Sequence, residues 1–383
     1  MLRVAILGAN GFIGNRTVEM FHLGGLAEVR PVVRSVARLA RPARFDLDCR
    51  IADGFDQAAL SAAFHGCDVV VHAIAGDPHT ILGTLAPAYR AAQEAGVRRF
   101  IYLSTASVHG QAPEPETDEN SPLHDRQPLP YNNAKVQAER TLHQLRRQGS
   151  VELVLLRPGI VFGPRSFWVT SFVEALLGGR AYVVNDGQGV CNSTYVDNLV
   201  HAISLAMTMS GVDGEVFLVG DEEKITWAEF YQPFAEALGY DLSDVYRVAP
   251  VSSVLTWRDR LETMRTSHPV QMVLSYLPYR ATLALSAALR AFMDPLPITS
   301  PWETPEPPVP RATLEMSLLH QCGYKLPSDK AKKRLSYEPI ISFAEGCRRT
   351  IAWLGFVGYP IIFSSPWLSS NSSPFAFREA KHG

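Results

Sequence analysis

Short runs rich in valine and isoleucine alternate with helical patterns through the first half of this chain. Such runs are apolar on both faces, which is typical of strands that helices cover on both sides. The alternation therefore predicts β-α-β units and an α/β fold with a doubly wound parallel sheet. The predicted strands span residues 3–7, 29–33, 69–73, 100–103, 153–156 and 215–219.

The pattern changes after residue 249, where apolar helical segments lead to a proline-rich stretch at 293–311. Repeated prolines exclude a helix or a central strand and indicate an extended surface loop. We predict an α/β domain at 1–165 and a smaller, mostly helical region at 166–350. That region is interleaved with the last strands of the sheet, at about 190–220. A Ser/Pro-rich tail follows at 351–383.

Two long apolar segments, 266–297 and 351–377, raise the question of a membrane. Arg280 and Arg290 interrupt the first, while Pro360 and several serines dilute the second, so neither supplies the roughly 20 apolar residues of a spanning helix. We expect no spanning segment, although peripheral membrane contact stays an alternative. The first segment also suits an apolar lid over a site, a second core or a dimer face.

The composition indicates which kinds of binding partner and which cellular compartment to expect. Charged residues are 19% of the 383, and the formal net charge is -2, so a nucleic-acid partner is not expected. The five cysteines are scattered and form no C-x-x-C pair, which argues against a disulfide framework and a metal site. The N-terminus enters a strand pattern directly, so we expect no signal peptide and a cytoplasmic location.

A glycine-rich turn, LGANGFIG, directly follows the first predicted strand and precedes an apolar helix face. Its three glycines, three residues apart, allow a tight turn, a close approach of phosphates to the backbone and close packing of the helix. The helix N-terminus then faces the anion. This arrangement predicts a dinucleotide site in a Rossmann-type sheet. The residues assigned to it are Gly8, Asn10, Gly11, Phe12, Ile13 and Gly14. The domain at 1–165 is then an NAD(P)-binding Rossmann domain, and the smaller helical region at 166–350 is the predicted substrate-binding region.

Basic residues follow the second predicted strand. In NAD sites an acidic residue about 20 positions beyond the glycines binds the adenosine ribose. This chain has Arg34 there, followed by Ser35 and Arg38. Because guanidinium groups pair with phosphate oxygens, these residues predict a preference for NADP(H). NAD(H) stays an alternative, since a solvated basic helix start would look the same.

Tyr131 and Lys135 lie one turn apart in a predicted helix and therefore share a face. A lysine cation stabilises a phenolate and lowers the pKa of tyrosine from roughly 10. Tyr131 can then exchange a proton with an alcohol or ketone during hydride transfer. The hydroxyls of Ser104, Thr105 and Ser107 follow a predicted strand, where open α/β sheets bind ligands. The same cluster also suits an ordinary turn.

Six segments follow one another in this chain: VAILGANGFIG, VVVHAIAG, YLSTASVHG, YNNAK, LRPGIVFGP and STYVDNLVHAI. In this order and at these intervals they resemble the extended short-chain dehydrogenase/reductase superfamily, of the NAD-dependent epimerase/dehydratase type. The resemblance covers about residues 1–240, with a weaker echo at 324–354.

The resemblance implies roles for individual residues. Thr105 would orient the reacting oxygen, Tyr131 would be the acid/base, and Lys135 would lower the tyrosine pKa and bind the nicotinamide ribose. It implies cofactor contacts for Asp53 at the adenine, Ala73 and Ala75 at the adenosine, and Pro158, Ile160 and Val161 near the nicotinamide. From its sequence position alone, Asp53 suits a helix start equally well.

Two differences from the usual motifs of the superfamily indicate which of its branches the chain resembles. Ile160 stands where sugar-nucleotide members usually have asparagine, and the segment 191–194 lacks their arginine. A pyrophosphate needs cationic partners, so the chain is more similar to the 3β-hydroxysteroid dehydrogenase and dihydroflavonol reductase branches. Arg165 or Arg180 would compensate in a sugar-nucleotide enzyme. The predicted substrate contacts are Ser107, His109, Arg165 and Tyr195, although His109 also suits a structural role.

We therefore predict an NADP(H)-dependent oxidoreductase that interconverts a secondary alcohol and a ketone on a mostly apolar small molecule. One alternative is a nucleotide-sugar epimerase or dehydratase that keeps its cofactor tightly bound. Another is a cofactor-binding scaffold or sensor without turnover. The superfamily often dimerises through helices beside the tyrosine helix, so the resemblance implies a homodimer.

Overall fold

The computed structural model describes residues 1–251 and 310–362, and its strands are short and largely buried. The strands in these residues are β1 (Arg3–Leu7), β2 (Glu28–Val33), β3 (Arg50–Ile51), β4 (Val69–His72), β5 (Arg99–Leu103), β6 (Glu152–Pro158), β7 (Ile160–Phe162), β8 (Tyr182–Val184), β9 (Val190–Cys191), β10 (Ser193–Tyr195), β11 (Val216–Val219), β12 (Ile225–Thr226) and β13 (Tyr246–Val248).

Helices connect these strands. The α-helices in the described residues are α1 (Phe12–Leu23), α2 (Gln57–Phe64), α3 (Pro78–Gly83), α4 (Leu85–Glu94), α5 (Pro130–Gln148), α6 (Phe167–Leu177), α7 (Val196–Thr208), α8 (Trp227–Ala237), α9 (Leu314–Leu319), α10 (Asp329–Leu335) and α11 (Phe343–Phe356).

Seven strands form one sheet in the order β11-β6-β5-β4-β1-β2-β3, and every neighbouring pair is parallel. The chain leaves β1 toward β2 on one side and later returns to place β4 on the other. This reversal beside β1 opens a crevice at the carboxyl ends of the strands, where doubly wound sheets bind ligands. The predicted Rossmann-type parallel sheet is confirmed.

The core consists of two apolar layers, one on each face of the sheet. Val4 and Ile6 of β1 point into the layer that contains α1 and α7, whereas Ala5 and Leu7 point into the layer that contains α2, α4 and α5. This alternation follows from the two-residue period of a strand. Burial on both faces explains the nearly continuous apolar runs in the sequence.

The C-terminal half differs from the prediction in two places. Within 190–220 only β11 joins the main sheet, because β9 and β10 pair with β12 and β7 in separate two-stranded sheets. The predicted tail at 351–383 begins inside α11, where Ile351 and Leu354 are fully buried. That part of the chain packs in the core.

The predicted apolar segment at 266–297 and most of the proline-rich stretch lie outside the described residues, as does the chain beyond 362. No helix within the described ranges is long and apolar enough to cross a membrane. The same ranges contain no cluster of histidine, cysteine and carboxylate side chains that could hold a metal ion.

Candidate active site

Two cavities flank the glycine-rich turn at the carboxyl edge of the sheet. The glycine-turn cavity, of about 480 Å³, lies over the ends of β1, β2 and β4 and includes Gly8, Asn10 and Gly11 in its wall. The tyrosine cavity, of about 510 Å³, lies over the ends of β5 and β6 and contains Phe12, Ile13 and Tyr131. The N-terminus of α1 therefore stands between the two cavities.

The backbone of the turn leaves no room for side chains. Gly8 has φ +89°, and a Cβ there would lie 2.9 Å from the carbonyl oxygen of Ala73. A Cβ on Gly14 would lie 2.3 Å from the carbonyl oxygen of Gly8, so α1 packs directly on the turn. No side chain caps the N-terminus of α1, and its first turn carries no acid. These features fit a dinucleotide whose diphosphate faces the helix N-terminus.

Three arginines line the outer wall of the glycine-turn cavity: Arg34, Arg38 and Arg41. Arg41 donates a hydrogen bond to the carbonyl oxygen of Asn10, at 2.8 Å. Within the described residues, Arg34 and Arg38 form neither a side-chain hydrogen bond nor an ion pair. Ser35, which we predicted beside them, is not part of the wall. Arg41 was not predicted, although it belongs to the same basic run.

The other residues predicted for the adenosine side line this cavity as well. Ala73 and Ala75 follow β4, and Asp53 follows β3. A carboxylate oxygen of Asp53 accepts a hydrogen bond from the backbone N–H of Phe55, at 3.1 Å. Asp53 therefore stabilises its own turn at the cavity wall.

Thr105 and Tyr131 lie together in the tyrosine cavity. Thr105 begins a short 3-10 turn after β5, and its Oγ1 lies 3.0 Å from Ser107 Oγ. Tyr131 stands in the first turn of α5, whose start is attached to the Thr105 turn through Gln127. The Gln127 amide donates to the carbonyl oxygen of Val108 at 2.7 Å and accepts from Asn132 at 2.8 Å.

Lys135 lies on the same face of α5 as Tyr131, with its Nζ 5.9 Å from the centre of the tyrosine ring. The ammonium is buried and donates to the hydroxyl of Tyr102 at 3.1 Å and to the carbonyl oxygen of Leu103 at 2.8 Å. The phenol of Tyr131 and the ammonium of Lys135 therefore lie close together, as predicted, and hydrogen bonds to β5 hold the ammonium in place.

The pKa values of these two groups move in opposite directions. The pKa of Tyr131 is raised to about 12, chiefly by shielding from water and then by the charge of Glu315, while the hydrogen bond with Thr105 opposes both. Burial lowers the pKa of Lys135 to about 8, and Glu139 acts against it. The shift of Tyr131 is opposite to the one we predicted, because loss of hydration and the Glu315 carboxylate together outweigh the hydrogen bond with Thr105.

Several other predicted residues line the tyrosine cavity, but three of the predicted substrate contacts do not. The residues that line it are Ser107, Pro158, Ile160 and Val161. His109 Nε2 lies 3.0 Å from an Arg157 nitrogen, and burial with that cation lowers the pKa of His109 to about 4. Arg165 donates to Asn15 Oδ1 at 2.8 Å, and Tyr195 is buried edge-on against Phe162.

A buried ion pair supports the strand ends below the cavity. Arg157 of β6 donates to both carboxylate oxygens of Glu139 on α5, at 3.0 and 2.6 Å. Ser104, next to Thr105, donates to the same carboxylate at 2.5 Å. Because all three residues are buried, this network fixes β5, β6 and α5 relative to one another.

Several residues in the wall of the tyrosine cavity were not predicted from the sequence. They are Gln111, Trp168, Asn192, Trp227 and Glu315. Trp168 and Trp227 lie in apolar helical segments, which the sequence assigns equally well to a core. Glu315 follows the proline-rich stretch and belongs to no motif, so no spacing signal in the sequence identifies it.

The glycine turn, the parallel sheet and the arrangement of Thr105, Tyr131 and Lys135 are the features expected of a nucleotide-binding α/β protein. The profile of the NAD dependent epimerase/dehydratase family matches residues 4–220, which is more than half of the 383-residue chain. The chain belongs to this family, as the resemblance implied. Membership supports an NAD(P) cofactor, and the site residues fit one.

Two curated relatives are plant enzymes. The chain is 26% identical over 388 residues to 3beta-hydroxysteroid-dehydrogenase/decarboxylase isoform 1 of Arabidopsis thaliana, an alignment covering 90% of this chain and 78% of that protein. It is 26% identical over 326 residues to isoform 2, covering 78% of this chain and 50% of that protein. The chain therefore spans about half the length of isoform 2.

A solved structure shares the fold. The dTDP-glucose 4,6-dehydratase of Streptomyces venezuelae, solved with NAD bound, superposes with a TM-score of 0.67 at 21% identity. The superposition covers 93% of this chain and 97% of that one. At this identity the likeness describes the fold.

Proposed function

We propose that the protein is an NADP(H)-dependent oxidoreductase that interconverts a secondary alcohol and a ketone on a mostly apolar small molecule. The lining of the tyrosine cavity carries this proposal. Among its described residues, none is a lysine or arginine, and the single charged side chain is that of Glu315. The apolar residues in this lining include Phe12, Ile13, Ile160, Phe167, Trp168, Val190, Trp227, Leu319 and Leu326.

This lining suits an apolar substrate better than a nucleotide sugar, because a diphosphate needs cationic partners. Arg165, one of the two arginines that would compensate in a sugar-nucleotide enzyme, donates a hydrogen bond to Asn15 of α1. The names of the plant relatives agree with the proposal, since a hydroxysteroid is an apolar molecule that carries an alcohol.

In this proposal the chain positions the substrate and moves its proton. When bound, NADP(H) donates or accepts the hydride, and its oxidised nicotinamide ring carries a positive charge. Thr105 donates a hydrogen bond to the substrate oxygen, and the phenol of Tyr131 gives that oxygen a proton or removes one. The ammonium of Lys135, held by Tyr102 and Leu103, stabilises the phenolate electrostatically.

The preference for NADP(H) rests on Arg34 and Arg38, whose guanidinium groups lack partners in the described part of the chain. We expect replacement of both arginines by alanine to raise the Kd of NADPH about tenfold or more, because charged hydrogen bonds to the 2′-phosphate are lost. NADH has no 2′-phosphate, so its Kd should stay within about twofold. Isothermal titration of both cofactors measures this. Arg90→Ala, on the exposed side of α4, is the control. Equal losses for the two cofactors would refute the preference.

The activity itself is tested by following NADPH absorbance with a panel of cyclic apolar ketones. We expect stoichiometric oxidation of NADPH with at least one ketone class.

A second candidate, a nucleotide-sugar epimerase or dehydratase, is favoured by the family match. Conversion of a nucleotide sugar without net NADPH consumption, together with no ketone reduction, would replace the proposal. Cofactor binding with neither activity would favour a scaffold.

A further inference from the structure

Glu315 is an unusual member of the tyrosine cavity, because it is the single charged side chain among the described residues of the wall. The residue stands in the first turn of α9, which Thr313 caps. The indole N–H of Trp227 donates to the carbonyl oxygen of Leu319 at 3.2 Å, and Leu319 is itself buried. The helix that carries Glu315 is therefore attached to the wall of the same cavity.

One contact orients the carboxylate. Gln111, six residues beyond Thr105, donates its amide N–H to Glu315 Oε1 at 3.2 Å. No other hydrogen bond reaches Glu315 from the residues described by the structure. A carboxylate has about four acceptor positions on its two oxygens, so most of this capacity stays open. Buried acceptors gain stability when a donor reaches them.

Glu315 also acts on the proton-transfer group. Both residues line one cavity, and the charge of Glu315 raises the pKa of Tyr131. A substrate whose carbinol oxygen meets Tyr131 therefore occupies a cavity that Glu315 also lines. Burial raises the pKa of Glu315 itself, so its charge already costs free energy, and a second negative charge nearby would add to that cost.

We propose that Glu315 determines specificity: it favours substrates that carry a hydroxyl beside the reacting carbon and disfavours those that carry a carboxylate there. This inference rests on the proposed function and narrows its substrate class to neutral, vicinally hydroxylated alcohols. Glu315 accepts the hydrogen bond of the second hydroxyl, while Tyr131 accepts the proton of the first.

The test uses three bicyclic alcohols of the decalin type, which carry a hydrogen, a hydroxyl or a carboxylate on the carbon next to the carbinol. Oxidation with NADP⁺ is followed as NADPH formation at pH about 8.5, so that the carboxyl group is ionised. In the wild type we expect kcat/KM for the diol to exceed that for the hydroxy acid. Glu315→Gln should reduce this ratio at least about tenfold.

Two further variants make the result specific. Glu315→Asp keeps the charge and should keep the discrimination against the hydroxy acid, and the exposed Glu338→Gln should leave all three rates unchanged. Calorimetric Kd values of the diol and the hydroxy acid, with and without NADP⁺, give a readout that needs no turnover. Thermal unfolding confirms that each variant is folded.

The outcomes separate the inference from the proposed function. If the wild type oxidises at least one alcohol but Glu315→Gln leaves the ratio unchanged, the inference is wrong and the proposed function stands. If the wild type oxidises none of them, the ketone panel decides the proposed function, and the ratio of the two Kd values decides the inference separately. An unchanged Kd ratio in Glu315→Gln overturns it.

Discussion

Tyr131→Phe should lower kcat about a thousandfold while leaving the Kd of NADPH within about twofold, because general acid–base catalysis contributes about 10²–10⁴ in rate. The substitution removes one oxygen atom and keeps the ring, and the ring lies over the Lys135 ammonium at 5.9 Å. The packing of α5 against the sheet should therefore persist. Stopped-flow measurement of NADPH oxidation, with fluorescence titration of NADPH, gives both quantities.

The matched control is Tyr240→Phe, a partly exposed tyrosine outside both cavities. We expect wild-type kcat in this variant. A Tyr131→Phe enzyme within tenfold of the wild type would show that another group moves the proton. If that variant instead lost NADPH binding, Tyr131 would have a structural part in the cofactor site.

The second large effect concerns stability. Glu139→Leu should lower the free energy of unfolding by about 3–5 kcal/mol, since removing one partner of a buried ion pair leaves an uncompensated charge. The charge left behind is that of Arg157, whose side chain is buried between β6 and α5. Ser104 loses its acceptor in the same variant. Urea denaturation monitored by circular dichroism measures the loss.

The double variant Glu139→Leu/Arg157→Met is the control for this prediction. Replacing both charges by apolar side chains removes the unpaired guanidinium, so most of the lost stability should return. Arg157 also contacts His109, and the double variant removes this contact. His109 is neutral near neutral pH, because its pKa is lowered to about 4, so losing Arg157 leaves no unpaired charge there. A double variant no more stable than the single one would show that packing, and not the unpaired charge, sets the cost.

Sequence patterns predicted the parts of the site that depend on local spacing. Gly8 allows the tight turn and Gly14 allows the close packing of α1, because neither position has room for a Cβ. Both glycines lie in one short segment of the sequence, so their spacing is recognisable. Tyr131 and Lys135 share a face of α5 because i and i+4 residues do so in any helix. The buried strands of the main sheet were predictable because burial on both faces leaves continuous apolar runs. The edge strand β3 has no such run, since both of its residues are exposed.

Residues whose positions depend on packing between distant segments were not predictable in this way. Arg165 has φ +75°, a backbone conformation that directs it to Asn15 and that no sequence pattern indicates. Tyr195 ends a strand that pairs with β7 outside the main sheet, and its ring packs in the core. Glu315 reaches the cavity from about 180 residues beyond Tyr131, which only the tertiary fold determines.

The direction of the Tyr131 pKa was also missed, because the competing effects have opposite signs. Proximity of an ammonium lowers the pKa of a phenol, whereas loss of hydration and the Glu315 carboxylate raise it. Burial moreover lowers the pKa of Lys135 to about 8, so its positive charge is lost when the pH rises only a little above neutral. The proposed mechanism therefore requires that positive charge at the bound cofactor adds to that of Lys135.

The most direct test is a spectroscopic titration of the Tyr131 phenol. The ultraviolet difference between wild type and Tyr131→Phe isolates its phenolate absorbance across a pH series, with saturating NADP⁺ and without any nucleotide. We expect a midpoint near 12 for the protein alone and a midpoint below the ordinary tyrosine value of about 10 with NADP⁺ bound. A midpoint that stays near 12 with NADP⁺ bound would contradict the assignment of Tyr131 as the proton carrier.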